Sequence, residues 1–454
     1  MIANCDLHCH SSHAGGTGSL DLLEIDQTMP LKGISLVGTG DCQFPPWNEY
    51  LKQILKEIAD SGIYELKEGS KTKFVLQTEL VFTTKIQKRA KLAHVVFLFR
   101  DFSVVDEFIF LLEKTWNIKI RGAKMGRPFV TCQNPEEIGN KINAILDLHP
   151  ETECFPAHVL TPSGVFGSNV RINFLDEFFA GCTDRIACIE TGLSADPVIL
   201  SLIPELEKRT WISNSDAHSP ALNRIGREFT TFNLGNELSY ENLIKAIRQN
   251  QVVRTAEFLP SEGRYFLTGH RELKWQPKDE ETRKKRKKKN WHGKNEFCFY
   301  SPDHVPKDDK CPICNRKLAI GVLQRAFEIS HAQNGKRSLG DLKPNVPDYI
   351  HMVPLVEVIG YAYGIKSPTS KKVVSTYGKI LHQLNTTECD FWFIDNDRIK
   401  EQLKDEERLI NTLIDVKNGN FCFEPLGYDG TYGELVVGKK HQLQDLLTIS
   451  YELL

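Results

Sequence analysis

The chain lacks any apolar run long enough to cross a bilayer, and its N-terminus has neither the basic region nor the cleavage site of a secretory signal. These absences lead to the expectation of a cytoplasmic protein with no membrane partner. A disulfide framework is missing too: the twelve cysteines are spread through apolar contexts such as Cys154, Cys182 and Cys188, which read as buried thiols of a reducing compartment. Overall charge is nearly absent, at a formal −2, yet its distribution is uneven, because residues 283–289 are seven consecutive cations. What is present is an ordinary globular composition, 41% hydrophobic and 26% charged, in 454 residues, enough for two or three domains.

From the N-terminus to about residue 258, short apolar runs alternate with amphipathic stretches, the pattern of βα units. Strands are predicted near 2–10, 34–40, 74–82, 94–99, 154–159, 186–191, 210–215 and 228–234. Helices are predicted near 47–60, 103–116, 135–148, 197–208 and 240–249. Asn134-Pro135-Glu136-Glu137 supplies an N-cap, a first-turn proline and acids; Asp196-Pro197 and Ser239 with Asn242 are similar starts. The fold class expected is α/β, a wound barrel whose chemistry sits at the C-terminal ends of its strands.

Those ends carry ligand-type side chains. His8 and His10 alternate on the first strand and so share a face. The second strand runs into Asp41, the third contains Glu79, the fourth begins at His94, the fifth runs into His158, and the seventh into Asn214-Ser215-Asp216-Ala217-His218. Singly, each has an ordinary explanation: Glu79 as a strand-end acid, His94 as a core histidine, Asp216 as a helix cap. Together they form a carboxylate and imidazole set without cysteine, the donors of a hydrolytic Zn²⁺, Mn²⁺ or Fe²⁺ cluster. Arg224 and Arg227, just beyond, are candidate phosphate clamps. Cys9 alternates away from the histidines and is assigned to packing, and Cys42 is assigned no chemistry; His13, a loop histidine close to the first motif, reads either as an added ligand or as a solvated side chain.

Asp6-Leu7-His8-Cys9-His10, Gly38-Thr39-Gly40-Asp41, Pro156-Ala157-His158 and Asn214-Ser215-Asp216-Ala217-His218 resemble the four motifs of the PHP (polymerase and histidinol phosphatase) superfamily. Within it, Gly192-Leu193-Ser194-Ala195-Asp196, Ser215-Asp216-Ala217-His218-Ser219-Pro220, Gly226-Arg227-Glu228-Phe229 and Gly427-Tyr428-Asp429-Gly430-Thr431-Tyr432-Gly433 are similar to the endonuclease Q family. The resemblance implies a distorted (β/α)7 barrel over residues 1–258 with two or three divalent metals (Zn, Mn or Mg). His8, His10, Glu79 and Asp216 would hold one metal, and Glu79 would bridge to a second held by His94 and His158. Asp41 and His218 would serve a third position or orient the nucleophile. The catalytic set is then Asp41, Glu79, Asp216, His218 and Arg227. One departure stands out: Leu160-Thr161-Pro162-Ser163 lacks the aromatic that the family pattern places after the proline.

Residues 259–295 read as an exposed basic connector able to hold phosphate backbones without reading sequence. Residues 296–325 read as a zinc-binding module: Cys311-Pro312-Ile313-Cys314 is a ribbon half-site, completed by Cys298 with His304, or alternatively by His292. Residues 326–454 read as a mostly helical domain, with helices near 354–359, 371–384 and 399–416 and a final strand at 434–437. Tyr428 and Tyr432 could stack on bases or pack in the core. The function implied is a metal-dependent endonuclease cutting DNA 5′ of deaminated or abasic nucleotides, with one structural zinc besides its metal cluster. The alternatives are a phosphatase acting on a small phosphomonoester and a nucleic-acid-binding subunit of a repair or defence complex with an ATPase partner.

Overall fold

Ile2–Asp6, with Ala3 and Cys5 buried on one face, forms the strand from which the sheet grows on both sides. Leu36–Gly38 pairs parallel to it and Phe229–Asn233 pairs antiparallel. The structure is a computed structural model and describes residues 1–14, 20–120, 128–193, 195–272, 281, 292, 296–403, 406–448 and 450–453. The basic run at 283–289 lies outside the described residues.

On one side, Phe229–Asn233 continues to Val252–Glu257 and then to Asp348–His351. On the other, Leu36–Gly38 pairs with Lys73–Ile86, which is joined to Arg89–Phe99 in a long hairpin. Its two loop residues, Gln87 and Lys88, both have positive φ (51° and 65°), the twist that a tight two-residue turn demands. Glu153–Pro156 pairs with Arg89–Phe99. A separate parallel pair, Cys188–Glu190 with Thr210–Ile212, follows. Val159 N donates to Glu190 O at 3.3 Å at one of its ends, and Ser213 Oγ donates to Ala256 O at 2.9 Å at the other. Hydrogen bonds therefore lead around the strands and back toward the first sheet edge.

The strands share one interior. Cys5, Leu36, Val75, Val96, Phe155, Cys188, Ile212 and Phe232 give that cluster one residue from each of eight strands, and the helix Tyr240–Arg248 packs Tyr240, Leu243, Ile244 and Ile247 against it. Ser239 caps that helix through Asn242 N, as its sequence predicts. Asn134 and Asp196 likewise cap Pro135–Leu146 and Pro197–Leu200. Among the described residues no helix is long and apolar enough to cross a membrane.

Three local readings change. The helix predicted over 47–60 ends at Ile54 and gives way to the strand Leu55–Glu57, because Lys56 and Glu57 pair with the short strand Tyr64–Leu66. The 197–208 stretch is a four-residue helix followed by the 3₁₀ turn Pro204–Lys208, since Pro204 removes a donor from any continuing helix. The segment 399–416 divides into Asn396–Gln402 and Glu407–Lys417.

The lines drawn at 258 and 326 do not separate the C-terminal part from the sheet, because Asp348–His351 is one of its strands. Beyond it, Leu355–Tyr363 and Lys371–Gln383 are helical, and Phe421–Glu424 pairs with Glu434–Val437. A buried pair, Lys32 Nζ to Glu388 Oε2 at 2.9 Å, ties this part to the helix Leu22–Lys32. Glu388 also accepts from Leu355 N at 2.8 Å and Tyr377 OH at 2.9 Å.

Candidate metal centre

Six side chains from five separate stretches meet, Glu79 and His94 from within the long hairpin and the others from just beyond strand ends. His8, His10 and Asp216 form one group of converging donor atoms, and Glu79, His94 and His158 form a second. In register, Glu79 faces Val96 while Val81 faces His94, so Glu79 and His94 are diagonal neighbours on one face of the hairpin. Glu79 joins the two groups. Its Oε1 lies 2.5 Å from His94 Nδ1 and 3.7 Å from His8 Nε2, and its Oε2 lies 3.5 Å from His10 Nε2. Asp216 Oδ1 is 3.0 Å from His10 Nε2 and 3.5 Å from His8 Nε2.

The chain bends sharply to make this possible. Asp41, His158 and Asp216 all have positive φ (43°, 31° and 47°), a conformation that costs a non-glycine residue about 1–3 kcal/mol and is held by surrounding contacts. Asp6 supplies some of them: it accepts from Ser215 N at 3.0 Å, Ser215 Oγ at 2.6 Å and Gly226 N at 3.0 Å. Asp41 is held by Ser11, whose N and Oγ donate to Oδ2 at 2.8 and 2.5 Å. Its other oxygen sits 3.6 Å from His10 Nδ1. His218 stacks on His10 with centroids 4.3 Å apart and brings Nε2 within 3.6 Å of Asp216.

The electrostatics of the site suit a cation. Burial draws the His8 and His10 rings down, yet the carboxylates around them win: His8 is raised to about 9 by Glu190, Asp216 and Glu79, and His10 to about 10 by Asp216, Asp41 and Glu79. Asp216 is buried but is held below the usual carboxylate range by His8 and His10. Buried His8 Nε2, both ring nitrogens of His10, and Asp41 and Asp216 Oδ1 have no hydrogen-bond partner among the described residues. Buried polar atoms without partners are costly, and a divalent ion would satisfy those that converge, His8 Nε2, His10 Nε2 and Asp216 Oδ1. The donor set fits such an ion.

Glu190 is the functional residue that sequence reasoning missed. Its carboxylate bonds His8 Nδ1 at 3.0 and 3.2 Å, accepts from His158 N at 2.8 Å and from Asn214 Nδ2 at 3.0 Å, and so fixes the tautomer and aim of His8. Its signal was an acid ending a strand, Cys188–Glu190, that is otherwise apolar and wholly buried.

The cluster opens into a cavity of about 850 Å³ lined by His94, His158, Asp216, His218, Arg224 and Arg227 together with Phe258, Arg264, Tyr265 and Tyr432. Arg227 rests on Phe258, 4.8 Å from its ring centre, and its Nε is 3.7 Å from buried Glu228. His13 packs instead beside Phe44 and Trp47, and Cys9 and Cys42 are buried in the core.

A second donor cluster lies elsewhere. His270, His292, Cys311 and Cys314 bring four donor atoms within 4.8 Å of one another. His292 Nε2 is 2.9 Å from Cys311 Sγ, His270 Nδ1 is 3.1 Å from Cys314 Sγ, and Cys298 Sγ is 3.6 Å from Cys311 Sγ. His304, expected here, is not in the group: it ends the 3₁₀ turn Pro302–His304, with its ring on Ser301 Oγ at 3.0 Å. His270 takes its place because the strand Thr268–His270 pairs with Phe297–Tyr300, setting His270 opposite Cys298. Burial and the neighbouring His292 bring His270 down to about 4, leaving it neutral, as a ligand must be.

No protein-family model matches the chain. Over 251 residues, 54% of its length, it is 30% identical to an uncharacterized protein of Methanocaldococcus jannaschii, and the match spans 28% of that protein's own length. The structure is similar to the crystal structure of the lesion-specific endonuclease PfuEndoQ from Pyrococcus furiosus, with 25% identity, a TM-score of 0.74 and 99% of each chain covered. It matches equally, at 25% identity and a TM-score of 0.74, a structure of endonuclease Q in complex with a 27-mer duplex substrate carrying an abasic lesion at the active site; 99% of this chain and 98% of that one are covered. The chain shares the fold of endonuclease Q. Because the match covers 99% of this chain, it takes in the C-terminal part as well as the strands that carry the first six donors.

Proposed function

We propose that this chain is a metal-dependent DNA endonuclease that hydrolyses the phosphodiester 5′ of a deaminated or abasic nucleotide, with duplex DNA as its partner. The observation that carries the reading is the pair of donor groups joined by Glu79 at the wall of an arginine-bearing cavity, in a chain that matches endonuclease Q from end to end. On this reading the strands form a distorted (β/α)7 barrel, and the His/Cys cluster is a structural zinc module built on His270, His292, Cys311 and Cys314, with Cys298 beside them. Thiolate and imidazole donors without a carboxylate suit a closed tetrahedral site.

His8, His10 and Asp216 would hold one divalent ion, His94 and His158 a second, with Glu79 between them; Asp41 would serve a third position. Bound there, such ions acidify a water and neutralise charge building on the phosphate oxygens. The chain does the rest. Glu190 fixes His8; Asp6 holds the turn that presents Asp216; His218, stacked on His10 and open to the cavity, is placed to take or return a proton beside the phosphate. Arg224 and Arg227 bind the non-bridging phosphate oxygens with guanidinium forks.

The test is a panel of duplexes bearing one hypoxanthine, uracil or abasic site, incubated with the protein and Mn²⁺ or Mg²⁺. A single nick on the 5′ side of the lesion is the expected result. Intact duplexes together with rapid phosphate release from a phosphomonoester would replace this reading with a phosphatase.

A further inference from the structure

The cavity beside the metal donors is lined by Thr161, Pro162 and Ser163, by Arg264, and by three six-membered aromatic rings, those of Phe258, Tyr265 and Tyr432. Phe258 is 4% exposed and is covered by the Arg227 guanidinium, 4.8 Å from its ring centre. Tyr432 and Tyr428 come from the same glycine-bounded turn, but the structure gives them different positions. Tyr428 is 4% exposed and packs on Phe299, with ring centres 5.0 Å apart, so it belongs to the core. Tyr432 is 48% exposed and faces the cavity.

An exposed tyrosine on a turn would ordinarily be a loose surface ring. This one is held. The turn is stitched to residues 261–267 by backbone bonds: Gly427 N to Ser261 O at 2.8 Å, Leu267 N to Gly427 O at 2.8 Å, Gly430 N to Arg264 O at 2.8 Å and Gly433 N to Glu262 O at 3.1 Å. Gly427 is required there, since a Cβ on it would lie 2.0 Å from Gly263 O. The Arg264 guanidinium lies 5.7 Å from the centre of the Tyr432 ring and 5.1 Å from that of Tyr265, which makes a cationic and aromatic shelf.

We infer that Tyr432, supported by Arg264, is the stacking platform for the nucleobase of the nucleotide whose phosphate is brought to the metal donors, and so sets the preference for a base-bearing over a base-less substrate. Large exposed rings stay exposed at a free-energy cost unless a ligand covers them, and a base is a flat partner of matching size. The shelf and the donors line the same cavity, so a nucleotide held there by its phosphate is the partner that would cover the ring. The ring reaches this cavity from the far end of the sequence, while residues 161–163 supply none.

The inference rests on the nuclease reading, and its test separates the two. Cleavage of a hypoxanthine duplex and of an abasic duplex is compared for wild type, Tyr432→Phe and Tyr432→Ala. Loss of one base stack is expected to slow Tyr432→Ala on hypoxanthine by about 10- to 100-fold. The abasic duplex, which has no base to stack, should be cut within about threefold of wild type, and Tyr432→Phe should behave as wild type on both. Equal loss on the two duplexes, or no rescue by phenylalanine, overturns the platform. If wild type cuts neither duplex, the nuclease reading fails, and the platform is judged by binding of a 2-aminopurine oligonucleotide. Quenching of its fluorescence by wild type that disappears in Tyr432→Ala upholds the inference, and quenching that persists in the variant overturns it.

Discussion

The two donor clusters make an instructive pair. The first is built from imidazoles and carboxylates, lines an open cavity and has carboxylates close enough to raise His8 and His10 well above the usual imidazole range. The second is built from imidazoles and thiols and is largely buried, and none of its four residues lines the cavity beside the first. Hard oxygen donors beside an accessible cavity suit a metal that must exchange water and bind phosphate, whereas thiolates suit one that holds the fold. The difference in chemistry therefore assigns different work to two sites that share histidine.

Breaking the first cluster should have the largest effect. Asp216→Ala is expected to cut lesion-directed cleavage on the order of a thousandfold or more, beyond the roughly 10- to 100-fold typical of losing a partner behind a ligand. Its melting temperature and duplex affinity should stay near wild type; full activity would remove the assignment. Glu190→Gln tests that partner. It keeps the shape but loses the charge behind His8, so activity at limiting Mn²⁺ should fall about 10- to 100-fold and recover in part at high Mn²⁺. A variant that is indifferent to Mn²⁺ concentration would contradict the role given to Glu190.

The second cluster should respond in the opposite way. Cys311→Ser is expected to lose one zinc per chain and melt several degrees lower, while Mn²⁺-dependent cleavage at low temperature stays within about threefold of wild type, since the thiolates take no part in the chemistry. A loss of activity as large as that in Asp216→Ala would merge the two sites into one.

The smallest effect concerns the acids behind the arginine wall. Burial pushes Glu228 up to about 8, against the pull of Arg227, and Glu257 up to about 7. Both carboxyls keep their protons in the native state at a pH where the unfolded chain has released them from groups near 4.5. The native state then binds more protons than the unfolded one, so stability falls as pH rises from about 4.5 to 8. The melting temperature should be lower at pH 8.5 than at pH 6, with a shallower slope in Glu228→Gln; a rising slope would contradict the protonation assigned here.

Much of the first cluster was legible in the sequence, because its members sit at strand ends beside tight turns: His8 and His10 after one strand, Asp41, His158 and Asp216 at positive-φ positions after others. Glu79 and His94 were legible as residue types, but their diagonal contact depends on a register set by the two-residue turn at Gln87 and Lys88. Glu190 and His270 were not seen. Glu190 acts through His8, 182 residues away, and His270 joins Cys311 and Cys314 only through the pairing of two strands. The short strands at Leu55–Glu57 and Asp348–His351 were missed for a related reason, since their pairing partners, not their own composition, make them strands.

The contrast between the clusters is tested most directly by removing metals in order. Dialysis against EDTA should strip the carboxylate cluster and abolish cleavage of an abasic duplex while about one zinc per chain stays bound by the thiolates. Adding Mn²⁺ should then restore cleavage with that zinc still in place. Cleavage that survives chelation, or that returns only when zinc refills the cysteine cluster, would contradict the assignment of catalysis to His8, His10, Glu79, His94, His158 and Asp216.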